Sequence, residues 1–242
     1  MFGELLAPQY LRWLLDGFYL TLGLTLFCCL LATLLGAPLA IARLSSRRLL
    51  AWPARAYLSL FRNTPLLVQL FFWYFGVPAL LPEDLVAWLN FPHAASLGPL
   101  SVEWPSFEFL AAAWGLTLYT SAFVAEELRA GIASVRPQQR AAAQALGLRP
   151  WQVWRLVVLP QALRTALPPL LGQYMNALKN SSLAMAIGLA ELSYASRQVE
   201  TETFKTFQAF GIATLLYIGV IALIEAGGQV LQHSRRYRRG AA

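Results

Sequence analysis

Apolar residues run along this chain in long uncharged blocks instead of alternating with polar ones. The block over 17–42 has no charged side chain, and about 20 apolar residues suffice for a helix to cross roughly 30 Å of hydrocarbon. Further blocks follow at 63–81, opening at Arg62 and interrupted by Pro65 and Pro78, and at 109–125. Another runs over 165–190, with Pro168 and Pro169 near its start and Lys179 past its middle, and a last one covers 207–224 and continues beyond Glu225. Extended to their polar ends, these predict five membrane spans at about 17–42, 60–81, 107–130, 165–190 and 207–231. The expected fold class is therefore an all-α integral membrane protein.

Ahead of the first span, Leu5, Leu6, Leu11, Trp13, Leu14 and Leu15 recur at roughly helical spacing among polar residues. That pattern predicts a helix over 1–16 lying along the outer interface. Residues 17–232 then form a single transmembrane domain, and 233–242 a basic tail. The connection over 82–106, with Pro92, Pro99, Pro105, Trp88 and Trp104, reads as an ordered external loop.

Composition narrows the function classes. The chain is 57% hydrophobic and 13% charged, against roughly 25% charged in a soluble domain. The net charge of +7 does not indicate nucleic acid, because the aromatics sit inside apolar blocks and not among the basic residues. Cys28 and Cys29 are adjacent, and His93 and His233 stand alone, so no metal-ligand spacing is present. Every Lys and Arg except Arg12, Lys179, Arg197 and Lys205 falls between spans one and two, between spans three and four, at the adjoining ends of spans two and three (Arg62, Arg129), or after span five. Positive residues are retained in the cytoplasm, which predicts an outside N-terminus and an inside C-terminus.

The segment 126–160 is too charged for the bilayer and reads as two short helices. Pro137 starts one, where a missing amide costs little; Gly147 ends it; Pro150 starts the next; Pro160 is expected to break it. Such a unit cannot bury both its faces alone, and a protein partner is the natural cover.

Here the residues resemble a known family. Ala141, Ala142 and Ala143, then Gly147, then Val157, Val158, Leu159 and Pro160 are similar to the EAA motif of permease subunits of ATP-binding-cassette importers. Ala141 departs from the pattern, standing where the motif has glutamate. Leu15, Asp16, Gly17, Thr21 and Leu22 resemble the first-helix signature of the polar amino-acid permeases, and residues 61–69 (Phe-Arg-Asn-Thr-Pro-Leu-Leu-Val-Gln) resemble their second. Residues 126–134 and Lys179, Asn180, Ser181, Ser182 and Leu183 complete the set. Trp73, Tyr74, Pro78, Glu83 and the 82–106 insertion are most similar to glutamate/aspartate systems.

The resemblance implies the type I importer permease fold, with a cytoplasmic coupling loop over 136–160, in a bacterial inner membrane. It also implies a second permease, identical or distinct, two ATPase subunits that bind the ATP and Mg, and a periplasmic amino-acid-binding protein. Arg140, Ala141, Ala142, Ala143, Ala145, Leu146, Gly147 and Leu148 would contact the ATPase. No Gly-Lys-Ser/Thr phosphate loop and no hydrolytic triad are present, so this chain is expected to hold no cofactor and do no catalysis.

Polar residues inside spans mark the expected substrate path, because an ionisable group there costs about 2.5–3.5 kcal/mol unless it faces a cavity or partner. The candidates are Arg62, Asn63, Thr64, Tyr119, Ser121, Lys179, Asn180, Ser181 and Ser182. Each has a bland counterpart: a kink with a snorkelling lysine, a cytoplasmic boundary arginine, interhelical hydroxyl glue. Glu126 is expected to pair at a helix end. Glutamine, histidine or arginine remain alternative substrates, and an ATPase-independent secondary transporter is a distant second class.

Overall fold

The computed structural model of the chain describes residues 6–91, 94–97 and 100–237. It is helical, apart from a short antiparallel hairpin in the connection expected to be ordered. There α4 (Glu83–Asn90) is followed by β1 (Ala94–Leu97) and β2 (Leu100–Glu103), paired Ala94 to Glu103 and Leu97 to Leu100. His93 and the residues beyond Tyr237 lie outside the described residues, as does the start of the 1–16 segment.

Three helices among the described residues are long and apolar enough to cross a membrane: α1 (Pro8–Leu44), α5 (Phe107–Ala133) and the described part of α10 (Thr206–Tyr237). The other two expected spans are segmented. Over the second, α2 (Arg48–Asn63) stops before Pro65, α3 (Leu66–Phe71) restarts, and π and 3₁₀ turns carry the chain through Leu80. Residues 48–59, expected to be a loop, are thus helical, because Ala51, Ala54, Leu58 and Phe61 recur on one face and are buried. The fourth begins well before residue 165, in α8 (Leu159–Asn180), and passes into a 3₁₀ helix, Ser181–Ile187.

Two breaks expected from sequence are absent. Among the described residues no separate interfacial helix precedes the first span, since α1 is continuous from Pro8. Its apolar stripe is real, but Leu14 is buried against protein, beside Leu192, Ala195 and Val199. Gly17 permits this approach, since a Cβ there would lie 3.0 Å from the Glu191 carbonyl. Nor does Pro160 end a helix. The preceding residues Val153–Val158 form a π turn in which the Leu159 amide donates to the Trp154 carbonyl. That wider turn relieves the clash a proline ring makes with the carbonyl four residues back. The expected basic tail also begins inside α10, which continues to Tyr237.

Where a single domain was expected over 17–232, the chain divides into two compact units. The first comprises Met1–Cys29, Thr64–Tyr119 and Ala177–Ile218; the second comprises Leu30–Asn63, Thr120–Asn176 and Gly219–Ala242. In the first, Leu24 and Cys28 of α1, Leu66 and Leu70 of α3, and Ala111, Ala112, Ala113 and Leu116 of α5 share one core. A run of alanines lets helix backbones approach closely, as small residues do in membrane packing. In the second, Gly36 and Gly131 do the same work. A Cβ on Gly36 would lie 2.8 Å from Val124 Cγ1, and one on Gly131 would lie 2.6 Å from the Ala162 carbonyl oxygen.

Candidate functional site

The unit between α5 and α8 is built around one buried alanine. The helix α6 (Pro137–Ala145) packs Ala143 against Ile132, Val135, Val153, Val158 and Ala162. Arg140 Nη2 donates to the Ile132 carbonyl at 2.9 Å, tying α6 to the end of α5. Ala141, Ala142, Ala145, Leu146 and Gly147 are exposed, and Leu148 is half-buried. Gly147 terminates α6 with φ at +84°, in the left-handed region that glycine enters without steric cost. Its amide donates to Gln144, and the Leu148 amide reaches back to Ala143. The chain then turns at Arg149, whose amide donates to Gln152 Oε1, into α7 (Pro150–Gln152). Leu146 at the tip is 82% exposed and Trp151 56%. The glycine-capped turn expected from sequence is therefore present, with one face buried and the other open, presenting Gln138, Ala141, Ala142, Gln144, Ala145 and Leu146.

The acidic residue at the end of the third span pairs as expected. Glu126 accepts from Arg129 Nη2 at 2.6 Å and from Arg43 Nη1 at 3.3 Å. One carboxylate thus ties the end of α1 to α5.

The polar residues expected to line a path are mostly spent on local structure. In the second unit, Ser121 is buried and bonds the Tyr57 hydroxyl at 2.7 Å, the interhelical role open to any membrane serine. Asn63 Nδ2 donates to Ser59, and the Arg62 guanidinium sits 5.4 Å over the Phe123 ring. In the first unit, Thr64 accepts from Gln69 Nε2 through both its hydroxyl (2.6 Å) and its carbonyl (3.1 Å), bridging the break at Pro65. Tyr119 is half-buried against the core.

Lys179 to Ser182 mark the change from α to 3₁₀ helix. The Ser181 hydroxyl is buried and donates to the Leu178 carbonyl at 2.7 Å, and Ser182 donates to Lys179 at 2.7 Å. Each serine satisfies a carbonyl left without a partner at a helix end. Ser181 therefore faces inward and shapes the turn. Asn180 is half-buried, while Lys179 is exposed and makes no ion pair among the described residues. The 3₁₀ turn ends at Gly188, φ +87°.

Sequence reasoning missed Glu191, which is fully buried. Its carboxylate accepts from the Tyr194 amide at 2.9 Å and the Tyr217 hydroxyl at 3.1 Å, with Thr21 Oγ1 at 3.4 Å. Thr21 in turn accepts from the Leu192 amide at 3.1 Å. Burial pushes the Glu191 carboxyl above the usual carboxylate range, and these donors offset the shift only in part. The node caps α9 (Leu192–Thr203) and joins it to α1 and α10. Its sequence signal was a lone acid ahead of a helix, the place of an N-cap.

Residues 32–236 match the family described as "Binding-protein-dependent transport system inner membrane component". The chain is similar to the glutamate/aspartate import permease protein GltJ of Escherichia coli K12, 36% identical over 215 residues, covering 89% of this chain and 84% of that one. It is also 32% identical over 219 residues to the Bacillus subtilis "Probable glutamine ABC transporter permease protein GlnM", covering 90% and 91%. A crystal structure of an amino acid ABC transporter with histidines superposes with a TM-score of 0.80 at 28% identity, over 97% of this chain and 100% of that one.

Proposed function

This chain belongs to the family of inner-membrane components of binding-protein-dependent transport systems, and from that membership we propose that it is the permease of an ATP-driven glutamate/aspartate importer. In this reading a second permease completes the path, two ATPase subunits supply ATP hydrolysis, and an external binding protein delivers the amino acid. The membrane is a bacterial inner membrane, with the N-terminus outside and the turn at Gly147 in the cytoplasm. The chain is a transport component and carries no catalytic residues of its own.

The observation that carries the reading is the open face of α6 and its turn. A leucine 82% exposed at a glycine-capped tip is poorly placed in water and well placed in a groove of a partner. Arg140, Ala141, Ala142, Ala145, Leu146, Gly147 and Leu148 are the contacts we assign to the ATPase, while Ala143 holds α6 to the membrane part. Since Ala141 has no charge to pair, that contact is apolar here. GltJ supports the acidic substrate, and similarity to a glutamine permease at comparable identity makes glutamine the second reading.

Lys179 is the residue we assign to the substrate's carboxylate, because its ammonium is exposed and carries no internal partner among the described residues. A carboxylate leaving water needs such a cation. The test is copurification of this chain with its ATPase and second permease, followed by ATP hydrolysis in proteoliposomes. Stimulation by loaded binding protein, strongest with glutamate or aspartate, is expected. Failure of any ATPase to copurify, or hydrolysis indifferent to the binding protein, contradicts the reading.

A further inference from the structure

The corner between α1 and α2 holds a cleft of about 620 Å³ that neither the coupling turn nor the proposed path uses. Ser45, Ser46, Arg48, Leu49, Trp52 and Arg55 line it. Arg48, Trp52 and Arg55 stand at i, i+4 and i+7 of α2, so they share one face of the helix, with Trp52 between the two arginines in sequence along it. The adjoining face, through Ala51, Ala54 and Leu58, is buried, and Ala51 forms part of the cleft wall. On the cleft side Leu49 is 90% exposed and Trp52 72%. Neither arginine makes an ion pair among the described residues.

The two chemistries in this cleft constrain what fills it. Water or a soluble anion would satisfy the guanidiniums and serine hydroxyls but leave Leu49 and Trp52 wet. An apolar segment would cover those two and strand two charges. A phosphate joined to acyl chains satisfies both, and arginine meets phosphate with paired donors. The corner also follows directly on α1, a helix long enough to cross the bilayer, so it lies where headgroups are expected.

We propose that this cleft is a binding site for an anionic phospholipid, its headgroup phosphates held by Arg48 and Arg55 and its upper acyl carbons against Leu49 and Trp52. Assignment to the inner leaflet rests on the orientation proposed above; the binding chemistry does not. Two guanidiniums facing one headgroup give about 30-fold in retention, at roughly 1 kcal/mol each.

The assembled transporter in detergent micelles, where there is no inside or outside, separates the two questions. Native mass spectrometry after adding diphosphatidylglycerol or phosphatidylcholine reads bound lipid directly. The Arg48→Gln/Arg55→Gln double variant should retain about 30-fold less diphosphatidylglycerol, with phosphatidylcholine unaffected. Because both arginines are exposed, its melting temperature should match the parent's. Arg197→Gln, on another helix, should leave lipid retention unchanged. Equal retention by parent and double variant overturns the proposal. So does displacement of the lipid by millimolar inorganic phosphate, which marks a site for a free anion. Protection of Trp52 from oxidation by the ATPase or second permease in lipid-free micelles overturns it too, since the cleft is then a protein interface. Orientation is tested separately by sided labelling of Ser46→Cys in cells.

Discussion

Truncating Leu146 separates docking from folding. The side chain is 82% exposed and contributes nothing to the cluster around Ala143. Burying a whole leucine side chain is worth about 1.5–3 kcal/mol, so Leu146→Ala should weaken ATPase association by about 2 kcal/mol, or roughly 30-fold. Folding should change by less than about 0.5 kcal/mol, the usual range for an exposed position. The assay is titration of ATPase onto the permease pair in nanodiscs, with thermal melting of the permease pair alone run in parallel. A lower affinity at an unchanged melting temperature supports the docking face. Unchanged affinity, or a loss of affinity that follows a loss of stability, refutes it.

Other predictions follow from the same geometry. Gly131→Ala would place a methyl 2.6 Å from the Ala162 carbonyl oxygen, and such overpacking should cost about 1–3 kcal/mol, visible as a lower melting temperature of the detergent-solubilised complex. Lys179→Ala should reduce uptake far more than basal ATP hydrolysis; equal losses would show a structural role. Glu191 is held above its ordinary range by burial, so its protonated form is favoured on folding. Its contribution is therefore fully present at acid pH and is lost as pH rises from the unfolded pKa towards the folded one. Glu191→Gln should accordingly gain stability relative to the parent as pH rises, and a pH-independent difference in melting temperature would count against a carboxyl held above its ordinary range.

The sequence made the apolar spans and the glycine-capped turn legible because each rests on local chemistry: an uncharged block, a proline at a first turn, a glycine at positive φ. Continuity was less legible. Asp16 and Gly17 resemble a helix boundary, yet α1 runs through both, and Gly17 is where the Glu191 backbone packs close. Pro160 resembles a stop, yet the π turn before it absorbs the ring. Polarity alone does not identify a substrate path, for a physical reason. Serine hydroxyls at a helix break satisfy their own backbone, as Ser181 and Ser182 do, and a run of polar residues looks the same whether it faces a substrate or a carbonyl. Glu191 was underread because its partners, Thr21 and Tyr217, are remote in sequence.

The most direct test of the central claim is uptake of radiolabelled glutamate into proteoliposomes holding the full complex and its binding protein, with ATP inside. Uptake should require ATP, cease when the ATPase is inactivated, and be competed by unlabelled aspartate better than by glutamine, histidine or arginine. Uptake that persists without a functional ATPase would contradict an ATP-driven importer, and stronger competition by a basic amino acid would contradict the acidic substrate.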